Sequence, residues 1–196
     1  MQTITHSLSL KEITMSRISI PSVEQSVAAS KPLLAAVQKS LGFTPNLMKL
    51  VGHSPAALEG YLSLNGAVGK GKLSVQLRER IALVVSEFNG CDYCLSAHDY
   101  LGANVAKLSR AELDAARNGH SEDAQVEAAL RFALQVAQAR GRVSDADLAA
   151  VRLAGFDEAS VVEIVVNVAL NVLTNYVNNV AQTDIDFPQV NAKLAA

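Results

Sequence analysis

The sequence predicts an all-α protein, and three observations support that prediction. After Pro21, the apolar residues recur with helical spacing, and no segment of four to eight residues alternates cleanly between apolar and polar with turn residues at both ends. Ala, the best helix former, is abundant. Capping residues and glycines separate the periodic segments. We therefore expect a helical bundle with essentially no sheet.

The helix boundaries follow from N-cap residues, prolines and glycines. The expected helices lie near 30–41, in a short segment after Pro45, at 55–68, at 75–88 behind Ser74, at 91–107, from Ser109 to 118–119, at 123–140, from Ser144 to Gly155, and from Asp157 to about 181. Ser109 and Glu112 have the spacing of a capping box.

A chain of 196 residues is expected to form one domain or two small ones. Residues 1–20 are rich in Ser and Thr and lack helical periodicity, so we expect an N-terminal arm there, free to be mobile. Residues 21–196 are expected to form a single all-α domain, since no long linker or solenoid repeat is present.

Composition excludes several classes of protein. The 17 Lys and Arg residues nearly balance the 19 Asp and Glu residues, which argues against a nucleic-acid-binding protein. Apolar residues make up 49% of the chain, too many for a disordered protein. A membrane span needs about 20 nearly uninterrupted apolar residues. The most apolar stretch, 161–173, is interrupted by Glu163, Asn167 and Asn171, so no membrane partner is expected.

The cysteines predict a compartment and a kind of chemistry. The chain has two, Cys91 and Cys94, and its first residues lack a positive cluster followed by an apolar core, which a secretory signal would show. We therefore expect a reducing, cytoplasmic setting. There, a close cysteine pair is more often catalytic, redox-active or metal-binding than structural.

The chemically informative stretch runs from Glu79 to His98. Cys91, Cys94 and His98 stand at i, i+3 and i+7, which places them on one face of a helix. We expect Asn89 to cap this helix, with Asp92 as its capping-box partner.

A helix start favours thiolate chemistry. Its partial positive charge stabilises a thiolate, and a neighbouring imidazolium can bring a free-cysteine pKa of about 8.5 to roughly 7 or below. His98 lies one turn from Cys94, close enough to act as a base or a hydrogen-bond donor, directly or through water. Glu79, on the preceding helix, could orient His98. At a first turn after Gly90, the backbone can adjust to form a reversible Cys91–Cys94 disulfide.

Other interpretations of the cysteine pair and of Glu87 stay open. The two cysteines could be buried and unreactive, since Cys packs as a small hydrophobe. They could also bind zinc with His98 and one carboxylate. Glu87, one turn before Cys91, is either a second carboxylate near the site or a solvated residue at a helix end.

The pattern E-x11-C-x2-C-x3-H, from Glu79 through Cys91 and Cys94 to His98, resembles the AhpD-like branch of the carboxymuconolactone decarboxylase superfamily. The resemblance is strongest over about 64–119, and the rest is similar to longer peroxidase-related members. It implies an AhpD-like helical bundle with CxxC at a helix N-terminus. It also implies homo-oligomers (dimer, trimer or hexamer) and thiol-dependent reduction of alkyl hydroperoxides. The decarboxylase branch generally lacks the cysteine pair.

The resemblance also assigns roles. Cys94 matches the cysteine that attacks the peroxide, and Cys91 the resolving cysteine, the more accessible sulfur that meets the external reductant. His98 and Glu79 match the proton relay. One position differs: where well-studied members carry a His just before the second cysteine, this chain has Tyr93, whose phenol can donate a hydrogen bond but is a poor base at pH 7. Tyr93 is therefore a candidate modulating residue.

The last predicted helix carries a polar stripe. Polar residues recur about every four positions: Glu163, Asn167, Asn171 and Asn175, with Asn178 and Asn179 beyond them. The stripe is either a solvent face or an interhelical or subunit interface joined by amide hydrogen bonds.

These observations lead to one function and two alternatives. The expected function is reduction of hydroperoxides through a Cys91/Cys94 dithiol–disulfide cycle, with no metal or organic cofactor and an external dithiol, such as a lipoyl or thioredoxin-like partner, as reductant. One alternative is a disulfide-exchange or redox-sensor protein without efficient peroxidase turnover. The other is a metal-binding or structural oligomer.

Overall fold

A computed structural model describes residues 16–193 of the chain. Residues 1–15, most of the expected N-terminal arm, lie outside the described residues, as do residues 194–196. Within the described range the protein is helical and contains no β-strand, which confirms the predicted fold class.

Residues 16–193 form nine α-helices, preceded by one 3₁₀ turn at Ala28–Ser30. The helices are α1 (Lys31–Leu41), α2 (Asn46–Val51), α3 (Pro55–Val68), α4 (Val75–Phe88), α5 (Asp92–Asn104), α6 (Arg110–Arg117), α7 (Ala124–Gln138), α8 (Asp145–Leu153) and α9 (Glu158–Ala181). Their order and approximate bounds agree with the prediction.

Local capping chemistry starts many of these helices. The Ser74 hydroxyl accepts the Leu77 N–H at the start of α4, and Ser109 and Glu112 form the predicted capping box of α6. Each such bond satisfies a backbone donor that the first turn leaves free. Short-range sequence signals were therefore sufficient to place these boundaries.

The core is built around α4. This helix packs against α5, α6, α7 and α9, and four of its residues, Ile81, Leu83, Val84 and Val85, are essentially inaccessible to solvent. A second apolar cluster joins Leu34, Leu47 and Leu58 of the first three helices to Cys91, Tyr93 and Cys94. Helices α1–α3 therefore form a wall over the cysteine-bearing end of α5.

Helix α9 turns its polar stripe inward. Asn167, Asn171, Asn175 and Asn178 are all buried. For these four residues the solvent-face interpretation is therefore wrong and the interhelical one holds: the Asn175 amide donates to Ser86 Oγ of α4 at 3.1 Å and accepts from the Asn89 amide at 2.8 Å. The other two residues of the stripe differ, since Glu163 is half-buried and Asn179 is exposed.

The outward face of α9 is apolar instead. Its exposed residues are Val162, Val165, Ala169, Leu173, Tyr176 and Val180. This helix is also the one candidate membrane span within residues 16–193 by length and hydropathy. Half of its most apolar window is buried inside the protein, however, which is how the core helix of a helical bundle behaves.

The chain closes with an irregular strap, residues 182–193, that begins where Gln182 adopts a left-handed conformation (φ 48°). The strap runs back along α5. The Val190 N–H donates to Ser96 Oγ at 2.9 Å, and the Ala192 N–H donates to Asp92 Oδ1 at 2.8 Å. These contacts fix the strap beside the helix that carries Cys94.

The described end of the expected arm lies against the protein body. The Arg17 N–H donates to the Ala181 carbonyl at 2.6 Å, and the Asp184 N–H donates to Ser16 Oγ at 2.8 Å. His53 Nε2 lies 2.7 Å from the Ser19 carbonyl. Residues 16–20 are thus held by the end of α9, the strap and the α2–α3 loop.

Candidate active site

The turn between α4 and α5 sets the position of the cysteines. Asn89 is the C-cap of α4 with helical backbone angles, Gly90 has a positive φ of 61°, and Cys91 is the N-cap of α5. The expectation that Asn89 caps α5 is therefore wrong. Gly90 reverses the chain there, so the cap position falls on Cys91, and the Asp92 carboxylate binds the strap instead.

The first turn of α5 links the two cysteines. Cys91 Sγ accepts the backbone N–H of Cys94 at 3.4 Å, as an N-cap side chain does. The Cys94 sulfur also accepts a hydrogen bond: the side-chain amide of Asn178, on α9, donates to Cys94 Sγ at 3.2 Å. Both sulfurs are therefore embedded in hydrogen bonds.

This environment separates the pKa values of the two thiols. Burial raises the pKa of Cys94, but hydrogen bonding from Cys91, the positive charge of His98 and the amides of Asn175 and Asn178 together lower it to about 7. The pKa of Cys91 is raised, because its thiol hydrogen-bonds to the Cys94 sulfur and is buried. Near neutral pH about half of Cys94 is therefore a thiolate, whereas Cys91 keeps its proton.

The two cysteines differ in access to the cavity. Cys94 lines a cavity of about 390 Å³, whereas Cys91 is fully buried and is not among the lining residues. Exposure to solvent does not separate the two cysteines, since both are buried, and the family-based expectation that Cys91 is the more accessible sulfur stays a prediction. The capping role of Cys91 places its Sγ beside the Cys94 N–H.

His98 and Glu79 form an ion pair beside Cys94. His98 Nδ1 lies 2.8 Å from Glu79 Oε2, and both side chains are mostly buried. Burial lowers the pKa of His98, but the charge and hydrogen bond of Glu79, together with the charge of Cys94, raise it above its ordinary value. The structure thus brings together all four residues of the sequence pattern, with a cationic imidazole favoured next to the thiolate.

The cavity around Cys94 is mainly apolar. Its walls come from α1, α2, α3, α5 and the strap, and they include Leu41, Phe43, Met48, Tyr61, Leu101 and Phe187. Pockets of this size and character accept organic molecules. The site can therefore offer a buried thiolate to an apolar electrophile.

Tyr93 positions the strap. Its hydroxyl donates to Asp186 Oδ1 at 2.8 Å and accepts the Leu47 N–H at 3.0 Å, and its ring packs edge-on against Phe187. Burial raises the pKa of Tyr93, although the Leu47 N–H opposes this. The phenol therefore stays protonated near neutral pH and acts as a structural contact between α2, α5 and the strap.

Glu87 lies outside the site. Its carboxylate binds Arg117 Nε at 2.7 Å and the backbone N–H of Lys193 at 2.6 Å. Neither sequence interpretation holds, since Glu87 is not a cavity residue and its side chain is only 13% exposed. Arg117 is 30 residues from Glu87 in the sequence, so the local pattern could not predict that the two side chains pair.

Sequence reasoning missed three residues that shape the site. Asn178 contacts the Cys94 sulfur, and Asp186 and Phe187 bring the strap to the cavity. The buried Asn stripe on α9 was the only available signal for Asn178. Among residues 16–193, no group of three or more His, Cys, Asp or Glu side chains is placed to hold a metal ion.

Replacing Asn178 tests its contribution to the Cys94 thiolate. We expect Asn178→Leu to raise the Cys94 pKa from about 7 toward the 8.5 of a free thiol, because the amide donor to Sγ is lost. The measurement is the pH dependence of Cys94 alkylation by iodoacetamide, with peptide mapping. Asn179→Leu, one residue away, is the control, since that amide donates to the Asn89 carbonyl instead. Equal pH profiles for the two variants would contradict the assignment.

Replacing Glu79 tests the ion pair. We expect Glu79→Gln to lower the pKa of His98, reduce the cation beside Cys94 and shift the thiolate profile to higher pH. Glu87→Gln is the matched control. It should leave that profile unchanged while reducing the free energy of unfolding by about 1–3 kcal/mol, because Arg117 loses a charged partner. A shift of the Cys94 profile in Glu87→Gln, or none in Glu79→Gln, would overturn this account.

Comparisons with known proteins agree with this geometry. The model of the carboxymuconolactone decarboxylase family matches residues 55–139, a stretch that contains Glu79, both cysteines and His98. A comparison with curated proteins finds no match.

Solved structures show the same fold over most of the chain. A peroxidase-related protein with an alkylhydroperoxidase AhpD core from Ralstonia eutropha is 25% identical, with a TM-score of 0.79, and covers 88% of this chain and 93% of its own. A peroxidase-related protein from a Silicibacter species is 23% identical, with a TM-score of 0.78, and covers 90% and 94%.

A third neighbour, the debrominase Bmp8, has a TM-score of 0.70 at 21% identity and covers 81% of this chain and 87% of its own. A cysteine-to-alanine variant of it has been solved with 2,3,4-tribromopyrrole. The fold therefore supports more than one reaction. The family match over residues 55–139, which include the Glu79–His98 core, and the fold shared with AhpD-like, peroxidase-related proteins support the AhpD-like carboxymuconolactone decarboxylase superfamily as the group that this chain resembles.

Proposed function

We propose that this protein is a thiol-dependent peroxidase that reduces organic hydroperoxides through a Cys91/Cys94 dithiol–disulfide cycle. The observation that carries the proposal is the Cys94 sulfur. It lies at the wall of an apolar cavity, with its pKa lowered to about 7 and its resolving partner one helical turn away. The peroxidase-related structural neighbours support the same chemistry.

In the first step the Cys94 thiolate attacks the distal oxygen of the hydroperoxide. The O–O bond breaks, Cys94 becomes a sulfenic acid, and the leaving alkoxide takes a proton from the His98 imidazolium to give the alcohol. Glu79 holds His98 in place at 2.8 Å and favours its cationic form. The catalytic residues of this step are Cys94 and His98, with Glu79 as a positioning residue.

In the second step Cys91 Sγ attacks the sulfenic sulfur. The S–S bond forms, and the hydroxyl of the sulfenic acid leaves with the Cys91 proton as water. An external dithiol of the lipoyl or thioredoxin class then reduces the disulfide and is itself oxidised to a disulfide. The balance is one hydroperoxide and one dithiol converted to one alcohol, one water and one disulfide, with no metal or organic cofactor. A reducing cytoplasm is the setting that we propose for such a cycle.

The direct test exposes the reduced protein to a small excess of cumene hydroperoxide and follows its intact mass. We expect the wild type to lose two hydrogens within minutes as the disulfide forms. Cys94→Ser should not react, and Cys91→Ser should gain oxygen at Cys94 because no resolving thiol is present. These three masses separate the attacking sulfur from the resolving one.

Other outcomes assign the site to another class. If the wild type keeps both thiols over minutes, the peroxidase proposal is wrong. Rapid oxidation by a small-molecule disulfide would then favour disulfide exchange, and bound zinc by elemental analysis would favour a metal site. Thiols inert to every oxidant would favour a structural role.

We also propose that the protein is a homo-oligomer joined through the outward face of α9. Five large apolar side chains on this face are exposed, from 39% for Val165 to 65% for Val180. Together with the exposed Ala169 they recur at intervals of three or four residues across five turns of one helix, and such a continuous apolar stripe favours a partner with the same pattern.

Sedimentation velocity tests this interface. We expect the wild type to sediment as a multiple of its 20.7 kDa chain, and Val165→Glu combined with Leu173→Glu to dissociate it, since the burial of charge is unfavourable. Leu153→Glu is the control, because Leu153 is 89% exposed but lies on α8. A monomeric wild type at micromolar concentration would contradict the proposal.

A further inference from the structure

A second, polar chamber adjoins the Cys94 cavity. Its volume is about 340 Å³, and α3, α4, α5 and α9 all contribute to its walls. Its polar lining includes Arg78, Asn65, Asn167 and Asn171. The proposed peroxidase cycle uses none of these four side chains.

Arg78 is the unusual member of this chamber. Its Nε atom is buried and has no hydrogen-bond partner among residues 16–193, and no ion pair within that range includes it. By contrast, Arg80, two residues along the same helix, is paired with Glu112. A buried polar atom without a partner needs an explanation, because its desolvation is otherwise uncompensated.

The chemistry of the missing partner follows from the guanidinium group. It is always charged, and its planar fork of donors matches the two oxygens of a carboxylate. The amide nitrogens of Asn167 and Asn171 donate to backbone carbonyls of α9, and neutral amides carry no charge that could balance the guanidinium. The Arg78 guanidinium is therefore suited to bind an anionic group such as a carboxylate.

The acidic side chains nearby do not oppose an anion. Glu79 lines the chamber, but its charge is paired with His98. Glu163, one turn before Asn167, accepts the backbone N–H groups of Lys72 and Leu73. Among the charged residues that line the chamber, Arg78 is therefore the one whose charge is not paired with another described residue.

The chamber and the Cys94 cavity adjoin each other at five residues that line both, namely Tyr61, Asn65, Glu79, His98 and Thr174. The cavity is mainly apolar and holds the Cys94 sulfur, and the adjoining chamber holds the Arg78 guanidinium. We propose that Arg78 binds the carboxylate of an amphipathic ligand whose apolar chain lies in the Cys94 cavity. This proposal rests on the proposed function, which supplies the hydroperoxide as the reacting group. It restricts the substrates of the protein to hydroperoxides of aliphatic carboxylic acids.

The first test measures binding alone, with decanoate and decanol as probes of equal chain length. Isothermal titration of the reduced wild type should show decanoate binding more tightly than decanol. Arg78→Gln should weaken decanoate binding about tenfold to a hundredfold, as expected for the loss of a charged hydrogen-bonded pair, and leave decanol binding unchanged. Arg78→Lys keeps the positive charge but lacks the planar pair of donors, so its affinity for decanoate should lie between those of the wild type and Arg78→Gln.

Arg80→Gln is the matched control, since Arg80 lies on the same helix and is paired with Glu112. It should bind both probes as the wild type does. Equal affinity of the wild type for decanoate and decanol, or undiminished decanoate binding by Arg78→Gln, would overturn the proposal. Circular dichroism of each variant verifies that it is folded.

The second test links the chamber to the reaction. The rate of Cys94 oxidation by a hydroperoxide of a medium-chain carboxylic acid is compared with that of its methyl ester, which lacks the charge. The wild type should prefer the acid about tenfold or more, and Arg78→Gln should lose that preference. If Cys94 reacts with neither, the proposed function is wrong, and the titration still decides whether Arg78 binds a carboxylate.

Discussion

The charge on the buried Cys94 sulfur is the constraint on which the rest of the structure depends. A thiolate taken out of water costs several kcal/mol unless donors and an opposite charge replace the lost hydration. Here the donors are the Cys91 thiol and the Asn178 amide, and the opposite charge is His98, held by Glu79. Those groups come from α4, α5 and α9. The ionisation of the Cys94 sulfur therefore depends on how these three helices pack together.

The buried asparagines of α9 are linked to the charge on the Cys94 sulfur. Neutral amides can donate toward a negative sulfur without adding a net charge to the core, which lysines could not do. To supply them, α9 turns its asparagines inward, where Asn175 also joins Ser86 to Asn89 at the turn before Cys91. Apolar residues lie on the outward face, so α9 supplies polar support to the site and also carries more exposed large apolar side chains than any other helix of residues 16–193.

The sequence predicted what local chemistry determines. Helix starts at Ser74, Ser109 and Asp157 follow from bonds spanning three residues, and the E-x11-C-x2-C-x3-H pattern spans only two helices and one turn. Contacts between distant segments were not predictable in this way. Asn178 is 84 residues from Cys94, and Asp186 is 93 residues from Tyr93. The error at Glu87 has the same origin, because its partner Arg117 lies 30 residues away. The error at Asn89 is local, because Gly90 reverses the chain and the cap position falls on Cys91.

Tyr93 and His98 have separate tasks in the proposed cycle. A phenol whose pKa is raised by burial cannot exchange protons near neutral pH, so in the proposed cycle the proton for the alkoxide comes from His98 alone. Tyr93 is free to form a fixed contact, and its bond to Asp186 places Phe187 on the cavity wall. Tyr93 therefore supports the strap and, through the strap, the aromatic wall of the cavity that Cys94 lines.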